Sequence, residues 1–345
     1  MTSRLFPLGR PVPREDLVGR QDFMKNLHNP LSEGQSVMLA GPRRVGKTSL
    51  AMEILRQFQE KNYDTAYFDL FRYNTKRALA VAIIDACAHI RDGTGESVRA
   101  DSCTSSLRAE MNSEERDGDA LLIESFQLPE RIAREGGRRL VFVFDETQEI
   151  IRLAGKPTLQ TIQERFQHHT SASYLFLGSP FATVGTSLPM PPIAVGSWQK
   201  YITQKFNSKD IAASERLVLE ILTLSGGYPQ DTMLLCTEIY SAVLEEGASA
   251  LSMEYVRVGY ERTQTAMAII FDEVLNHLGK TPVNRQVLVQ LAKNQRLYAG
   301  RQHNPNEIKR AVDTLVTRMI IDKTDRGSYR FLEPMFKHYL IHRLA

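Results

Sequence analysis

The chain has 345 residues, of which 42% are hydrophobic and 24% are charged, so its length and apolar content suit two or three globular domains. No apolar run approaches the roughly 20 residues that a membrane span requires, and residues 1–7 lack the apolar core of a signal peptide. Cys87, Cys103 and Cys236 are odd in number and far apart, which indicates reduced thiols. We therefore expect a cytoplasmic protein without a membrane role.

The net charge of +3 is unevenly distributed along the chain. Residues 280–345 contain 13 Lys and Arg but only 5 Asp and Glu, a net charge of +8, which leaves −5 for the rest. A basic block at one end predicts contact with nucleic acid. A basic surface with no such role is the alternative.

The first half of the chain alternates between apolar runs and helical patterns. A helix is expected over 21–28, strands are expected at 36–40, 65–70, 140–144 and 173–179, and the later helices are expected at 49–59, 76–90, 121–134 and 158–169. This alternation is typical of a parallel α/β sheet. Residues 92–118 are polar and have few apolar anchors, which predicts an exposed insertion. Tyr201-Ile202-Thr203 has the pattern of a further strand.

Helical patterns dominate from residue 212 to 277 and are interrupted by Gly226-Gly227-Tyr228-Pro229. Residues 281–345 predict three helices followed by a hairpin. One of these helices has Asn304 as its cap and Pro305 in its first turn, runs to about Met319 and buries that methionine. The strands 320–323 and 328–332 flank a turn. This pattern resembles a winged helix.

The most informative stretch is Gly41-Pro42-Arg43-Arg44-Val45-Gly46-Lys47-Thr48, which matches the phosphate-binding loop pattern G-x-x-x-x-G-K-[ST]. Glycines at these positions let successive backbone N–H groups point at phosphate oxygens. Lys47 would reach the β- and γ-phosphates, and Thr48 would offer its hydroxyl to Mg²⁺. A strand before the loop and a helix after it are the context that the pattern requires.

A second acidic motif follows the apolar run at 140–144. Asp145 and Glu146 come directly after it, where open α/β sheets bind ligands. Asp145 is expected to hold Mg²⁺, and Glu146 is expected to polarise a water for attack on the γ-phosphate. A solvated acidic turn is the alternative explanation of this pair.

The ordered set of motifs resembles the archaeal-ATPase family of AAA+-type ATPases, which is related to the STAND signalling NTPases and the origin-recognition ATPases. The resemblance covers nearly the whole chain. It is carried by the P-loop, by residues 145–149 as a variant of the acidic strand motif, and by Leu17-Val18-Gly19-Arg20, Gly178-Ser179 and Gly226-Gly227-Tyr228-Pro229.

The resemblance implies an α/β P-loop sheet of the AAA+ type at 1–205, a helical lid at 206–279 and a winged helix at 280–345. It implies ATP or ADP and Mg²⁺ as ligands, with the P-loop, Lys47, Asp145, Glu146 and a γ-phosphate sensor at Ser179 as the catalytic set. The expected nucleotide contacts outside residues 41–48 are Val18, Gly19, Arg20, Ser49, Tyr228 and Pro229.

One departure from the resemblance concerns hydrolysis. Relatives often carry an arginine between the sensor strand and the lid, but residues 178–199 contain none, and Lys200 is the nearest cation. An arginine finger typically contributes about 10³–10⁵ in rate. We therefore expect slow intrinsic hydrolysis or an arginine supplied from elsewhere.

Three functions remain open at this point. The first is an ATP-dependent switch that controls a protein partner or self-association. The second is a DNA-binding regulator or loader that is gated by ATP and contacts phosphates through Lys309, Arg310, Arg318 and Arg326. The third is a scaffold that holds ADP and hardly turns over.

Overall fold

The computed structural model describes residues 5–92, 117–178, 186–278, 282–297, 304–325 and 327–344. The chain divides into two compact units. We call the unit of Arg20–Gly41 and Lys47–Met190 the sheet unit. The second, which we call the helical unit, comprises Met1–Gly19, Pro42–Gly46 and Pro191–Ala345. Apart from its ends, the predicted insertion at 92–118 lies outside the described residues.

The sheet unit has five described parallel strands in the order β2-β3-β4-β1-β5. In chain order its elements are α1 (Gln21–Ser32), β1 (Val37–Ala40), α2 (Lys47–Glu60), β2 (Asp64–Asp69), α3 (Lys76–Asp92), α4 (Gly118–Ser125), α5 (Leu128–Gly136), β3 (Leu140–Asp145), α6 (Gln148–Phe166), β4 (Ala172–Gly178) and β5 (Thr186–Pro189). This arrangement confirms the predicted α/β class and parallel sheet.

Burial explains why the central strands are apolar throughout. Every residue of β3 and β4 is buried, as expected for strands of a parallel sheet that is covered on both faces. Aromatic rings join neighbouring strands: Phe144 stacks on Phe68 at 4.9 Å and on Phe176 at 5.6 Å between ring centroids. The register pairs Asp69 with Asp145, so the carboxyl ends of β2 and β3 meet at one edge of the sheet.

The helical unit has its own core, which includes the fully buried Trp198, Phe206 and Phe271. Its elements are α7 (Val195–Asn207), α8 (Glu215–Ser225), α9 (Pro229–Glu245), α10 (Met253–His277), α11 (Pro282–Ala292), α12 (Pro305–Thr317), β6 (Ile321–Asp325), β7 (Ser328–Phe331) and α13 (Pro334–Leu344). β6 and β7 form an antiparallel hairpin.

Three sequence predictions about individual elements were wrong. Residues 201–203 lie within α7, because Trp198, Tyr201, Ile202 and Phe206 bury one face at helical spacing. The helix predicted over 121–134 is two helices, α4 and α5, and Pro129 lies in the first turn of the second.

The third wrong prediction concerns the end of the chain. Two described helices, α11 and α12, precede the hairpin, and α13 follows it. The capping box at Asn304 and Glu307 is present, but α12 ends at Thr317. Met319 has a φ of +53° and is only half-buried, because the chain turns there toward β6.

Two further findings concern the cysteines and the lengths of the helices. Cys87 and Cys236 are buried free thiols, and Cys103 lies outside the described residues. None of the helices within the described ranges is both long enough and apolar enough to cross a membrane.

Candidate functional site

The predicted P-loop connects β1 to α2. A Cβ at Gly46 would meet nothing within 4 Å, so its φ of +90° is the reason for glycine there. Lys47 is buried in the first turn of α2, and its Nζ donates to the carbonyl of Gly41 at 2.9 Å. The start of α2 therefore presents an ammonium group and a helix N-terminus together, a combination that favours anions.

Asp145 is the buried carboxylate at the end of β3, and its oxygens have three hydrogen-bond donors. Thr48 Oγ1 donates to Oδ2 at 2.6 Å, and Tyr67 Oη on β2 donates to the same oxygen at 2.9 Å. The backbone N–H of Glu146 donates to Oδ1 at 2.8 Å. Burial, followed by the charge of Asp145, raises the pKa of Tyr67, so this phenol remains a donor.

The donor set at Thr48 and Asp145 fits a hard divalent cation. Mg²⁺ prefers oxygen ligands and is usually held by one or two protein groups together with phosphates and waters. A hydroxyl and a carboxylate within 2.6 Å, next to Lys47, supply such groups. Within the described ranges, no group of three or more His, Cys, Asp or Glu could hold a metal.

Glu146 lies beside Asp145 in a strained backbone conformation, with a φ of +56°. Its Oε2 accepts a hydrogen bond from Gln148 Nε2 at 2.5 Å. The other amide atom, Gln148 Oε1, is buried and has no hydrogen-bond partner within the described ranges, and a Cβ at Gly178 would come within 2.7 Å of it. This edge of the sheet unit therefore holds one orientated carboxylate and one unused acceptor. Ser179, the predicted sensor, lies outside the described residues.

The Gly-Gly-Tyr-Pro motif joins α8 to α9 in the helical unit. Gly226 and Gly227 have φ values of +63° and +69°, and a Cβ at Gly226 would come within 2.6 Å of the Pro334 ring. Trp198 Nε1 donates to the carbonyl of Gly227 at 2.9 Å, and Pro229 is the first residue of α9. These contacts within the helical unit account for the motif's glycines.

The three residues of the predicted Val-Gly-Arg box divide between the two units. Val18 is buried in the core of the helical unit. Gly19 has a φ of +62°, and a Cβ there would come within 3.0 Å of Ser197. Arg20 belongs to the sheet unit, where it precedes α1 and is buried, and burial lowers its pKa to about 10.

The remaining predicted residues differ in exposure and in partners. Within the P-loop, Arg43 is exposed, and Pro42 and Val45 are half-buried, as is Ser49 after it. Lys309 and Arg310 are exposed on α12. Arg318 is also exposed, but its guanidinium donates to the carbonyl of His277. Arg326 lies outside the described residues.

Arg44, in the middle of the P-loop, belongs to the helical unit and is held there. Its Nη2 donates to Glu333 Oε1, and its Nη1 lies 3.6 Å from Asp231 Oδ1 on α9. Nη1 also donates to Met267 Sδ at 3.6 Å, and the guanidinium carbon lies 5.6 Å from the centre of the Phe271 ring. The sequence showed Arg44 only as a loop residue, because its partners lie 187 to 289 positions later in the chain.

Sequence reasoning assigned no role to Tyr67, and Gln148 entered only as part of the acidic strand motif at 145–149. Tyr67 lies near the end of β2, and only the strand order places it beside the acid-tipped β3. The sequence feature that could have indicated Tyr67 is a phenol within the apolar run before Asp69. The signal for Gln148 was its place two positions after Glu146, at the start of α6.

Comparisons with known proteins support the fold. No protein-family model and no curated protein matches the chain. A Walker-type ATPase of Pyrococcus abyssi, PABY2304, is similar in structure with a TM-score of 0.75, at 17% identity, over 98% of this chain and 99% of that one.

Two more distant structures are similar over most of their length. The Aeropyrum pernix ORC2 protein, solved as ADPNP-ADP complexes, has a TM-score of 0.59 at 13% identity, covering 98% of this chain and 96% of that one. A Drosophila ORC chain, in a structure bound to DNA, has a TM-score of 0.50 at 12% identity, covering 96% and 88%. The chain thus has the fold of the AAA+ P-loop ATPases.

Proposed function

We propose that the chain binds ATP with Mg²⁺ and acts as a nucleotide-dependent switch that controls a protein partner or self-association, with slow hydrolysis on its own. The observation that carries this proposal is the pairing of the Thr48 hydroxyl with the Asp145 carboxylate at 2.6 Å. This pair adjoins Lys47 at the start of α2. A fold shared with Walker-type and origin-recognition ATPases supports the same proposal.

Each residue at the edge of the sheet has a defined task in this proposal. The backbone N–H groups of the loop and the N-terminus of α2 bind the phosphates, and Lys47 moves from the Gly41 carbonyl to a phosphate oxygen. Thr48 and Asp145 would hold Mg²⁺, while Tyr67 fixes the Asp145 carboxylate. An ion held there would supply positive charge beside the phosphates of the nucleotide.

In this proposal Glu146 accepts a proton from the attacking water. Its carboxylate is orientated by Gln148 Nε2, and the unpartnered Gln148 Oε1 offers a second acceptor to that water. We retain Ser179 as the γ-phosphate sensor. The absence of arginine from residues 178–199 supports slow hydrolysis, because a finger typically supplies about 10³–10⁵ in rate.

Equilibrium binding of a fluorescent ATP analogue, combined with phosphate release, tests this proposal. Lys47→Ala should abolish or severely weaken binding, whereas Glu146→Gln should bind like wild type but release no phosphate. Lys25→Ala, at an exposed position of α1, is the matched control and should behave like wild type. Wild-type binding and turnover in both Lys47→Ala and Glu146→Gln would refute the proposal. Copurified ADP without phosphate release would favour the ADP scaffold.

A second candidate function, ATP-gated DNA binding, is favoured by the charge of +8 over residues 280–345. In this proposal α11, α12, the β6–β7 hairpin and α13 act as a winged helix, and the exposed Lys309 and Arg310 contact phosphates. The Drosophila ORC structure is described as bound to DNA, which agrees with this candidate.

The salt dependence of duplex binding tests the DNA candidate. Each neutralised phosphate contributes about −0.9 to the slope of log K against log salt concentration. Replacing Lys309 and Arg310 with alanine should therefore reduce the magnitude of this slope by about 2. Lys200→Ala with Lys209→Ala is the charge-matched control in the helical unit. Binding that is absent at low salt, or a slope that Lys309→Ala with Arg310→Ala leaves unchanged, would exclude this function.

A further inference from the structure

The P-loop contains one arginine whose side chain is enclosed by the helical unit. Arg44 is only 14% exposed, and its backbone is in the left-handed region with a φ of +66°. Such a φ is uncommon for a residue other than glycine, and it persists only where the surroundings hold it. The surroundings here are two carboxylates, a thioether and an aromatic ring.

One of those carboxylates is poorly satisfied. Asp231 is fully buried in the first turn of α9, and neither of its oxygens accepts a hydrogen bond from an N–H donor among the residues that the structure describes. Arg44 Nη1 lies 3.6 Å from Asp231 Oδ1, a distance that makes an ion pair but not a hydrogen bond. Burial, followed by the nearby charge of Glu333, raises the pKa of Asp231 well above its ordinary range. Arg44 therefore meets Asp231 through charge alone, whereas it forms a hydrogen bond with the carboxylate of Glu333.

Arg44 is close in the chain to the residues of the proposed phosphate site. Arg44 precedes Lys47 by three residues, a chain length that spans at most about 11 Å. A phosphate would compete well for it, because arginine binds phosphate through charge-assisted bonds as it binds carboxylate. The N–H group that donates to Glu333 cannot donate to a phosphate at full strength at the same time.

We propose that Arg44 is a latch whose guanidinium is contested by the Asp231–Glu333 acidic pair and by the phosphates of a bound nucleotide. This inference rests on the proposed function and adds its regulation. The acidic pair lowers nucleotide affinity, because release of Arg44 breaks its hydrogen bond to Glu333 and leaves two neighbouring acidic groups without their cation. Conversely, nucleotide binding frees Glu333, at the entry to α13, and Asp231, in the first turn of α9. The latch thus couples the loop to the helices of the helical unit.

The test is the dissociation constant of a fluorescent ATP analogue, together with hydrogen exchange of the amides at 42–46 without nucleotide. Glu333→Gln should bind about tenfold more tightly, within the range typical of coupling between sites, and its loop amides should exchange faster. Asp231→Asn is the second variant and should change both readouts in the same direction. Glu273→Gln, at an exposed position of α10, makes the same charge change and should match wild type.

A double-mutant cycle shows whether the effect passes through Arg44. Glu333→Gln should have no effect on affinity in an Arg44→Met background. Unchanged or weaker binding by both Glu333→Gln and Asp231→Asn, with wild-type exchange at 42–46, would overturn the latch. If wild type and all variants fail to bind nucleotide, the proposed function itself fails, and the latch fails with it.

Discussion

Removal of the Tyr67 hydroxyl should weaken the binding of Mg²⁺ to the nucleotide complex. It should not weaken the binding of nucleotide in the absence of Mg²⁺. Asp145 Oδ2 receives hydrogen bonds from Thr48 and Tyr67, and Tyr67→Phe deletes the second of them. A hydrogen bond to a charged group contributes about 1.5–3 kcal/mol. Because Tyr67 is half-buried, we take the lower end, which corresponds to about a tenfold change in a binding constant.

The assay is a Mg²⁺ titration of nucleotide binding and phosphate release at a fixed ATP concentration. Tyr67→Phe should raise the half-saturating Mg²⁺ concentration about tenfold, in line with the 10–100-fold effects typical of residues that orientate metal ligands. Tyr63→Phe is the control, because the Tyr63 ring packs against Phe58 and a phenylalanine preserves that contact. A wild-type Mg²⁺ dependence in Tyr67→Phe would refute the assigned role of Asp145 Oδ2.

Two further predictions concern the helical unit. Gly226→Ala should lower the free energy of unfolding by about 1–3 kcal/mol more than Gly247→Ala does, as measured by urea unfolding. Both glycines have a φ of +63°, but only a Cβ at Gly226 would meet Pro334. Equal losses in the two variants would contradict the packing argument. Burial and the charge of Glu333 raise the pKa of Asp231 above its ordinary value of 3.8. Above that pH the folded state therefore binds more protons than the unfolded state. The stability of the wild-type chain should then fall as pH rises from about 4. Asp231→Asn should flatten this fall in melting temperature, and an unchanged slope would contradict it.

The sequence predicted the elements that a local pattern defines. The apolar runs that became β3 and β4 were recognisable because both strands are buried along their whole length. The start of α12 was recognisable because its asparagine cap and its proline are neighbours in the chain. The prediction of a strand at 201–203 was wrong because three residues are too few to distinguish a strand from one turn of a buried helix.

Features that depend on contacts distant in the chain could not be predicted. Tyr67 approaches Asp145 only because β2 pairs with β3, and no local pattern gives the strand order. Arg44 meets Asp231 and Glu333 across 187 and 289 positions, so nothing near the P-loop indicates an acidic pair. The left-handed backbone of Glu146 is likewise a property of the folded chain that no local sequence pattern indicates.

The central claim is that the identity of the nucleotide controls association of this protein. Sedimentation velocity of the wild-type chain with ADP and with a non-hydrolysable ATP analogue, each with and without duplex DNA, tests it most directly. We predict that the sedimentation coefficient differs between the two nucleotides in wild type and does not differ in Lys47→Ala. Identical profiles with ADP and the analogue, under conditions where both are bound and with and without DNA, would contradict the switch.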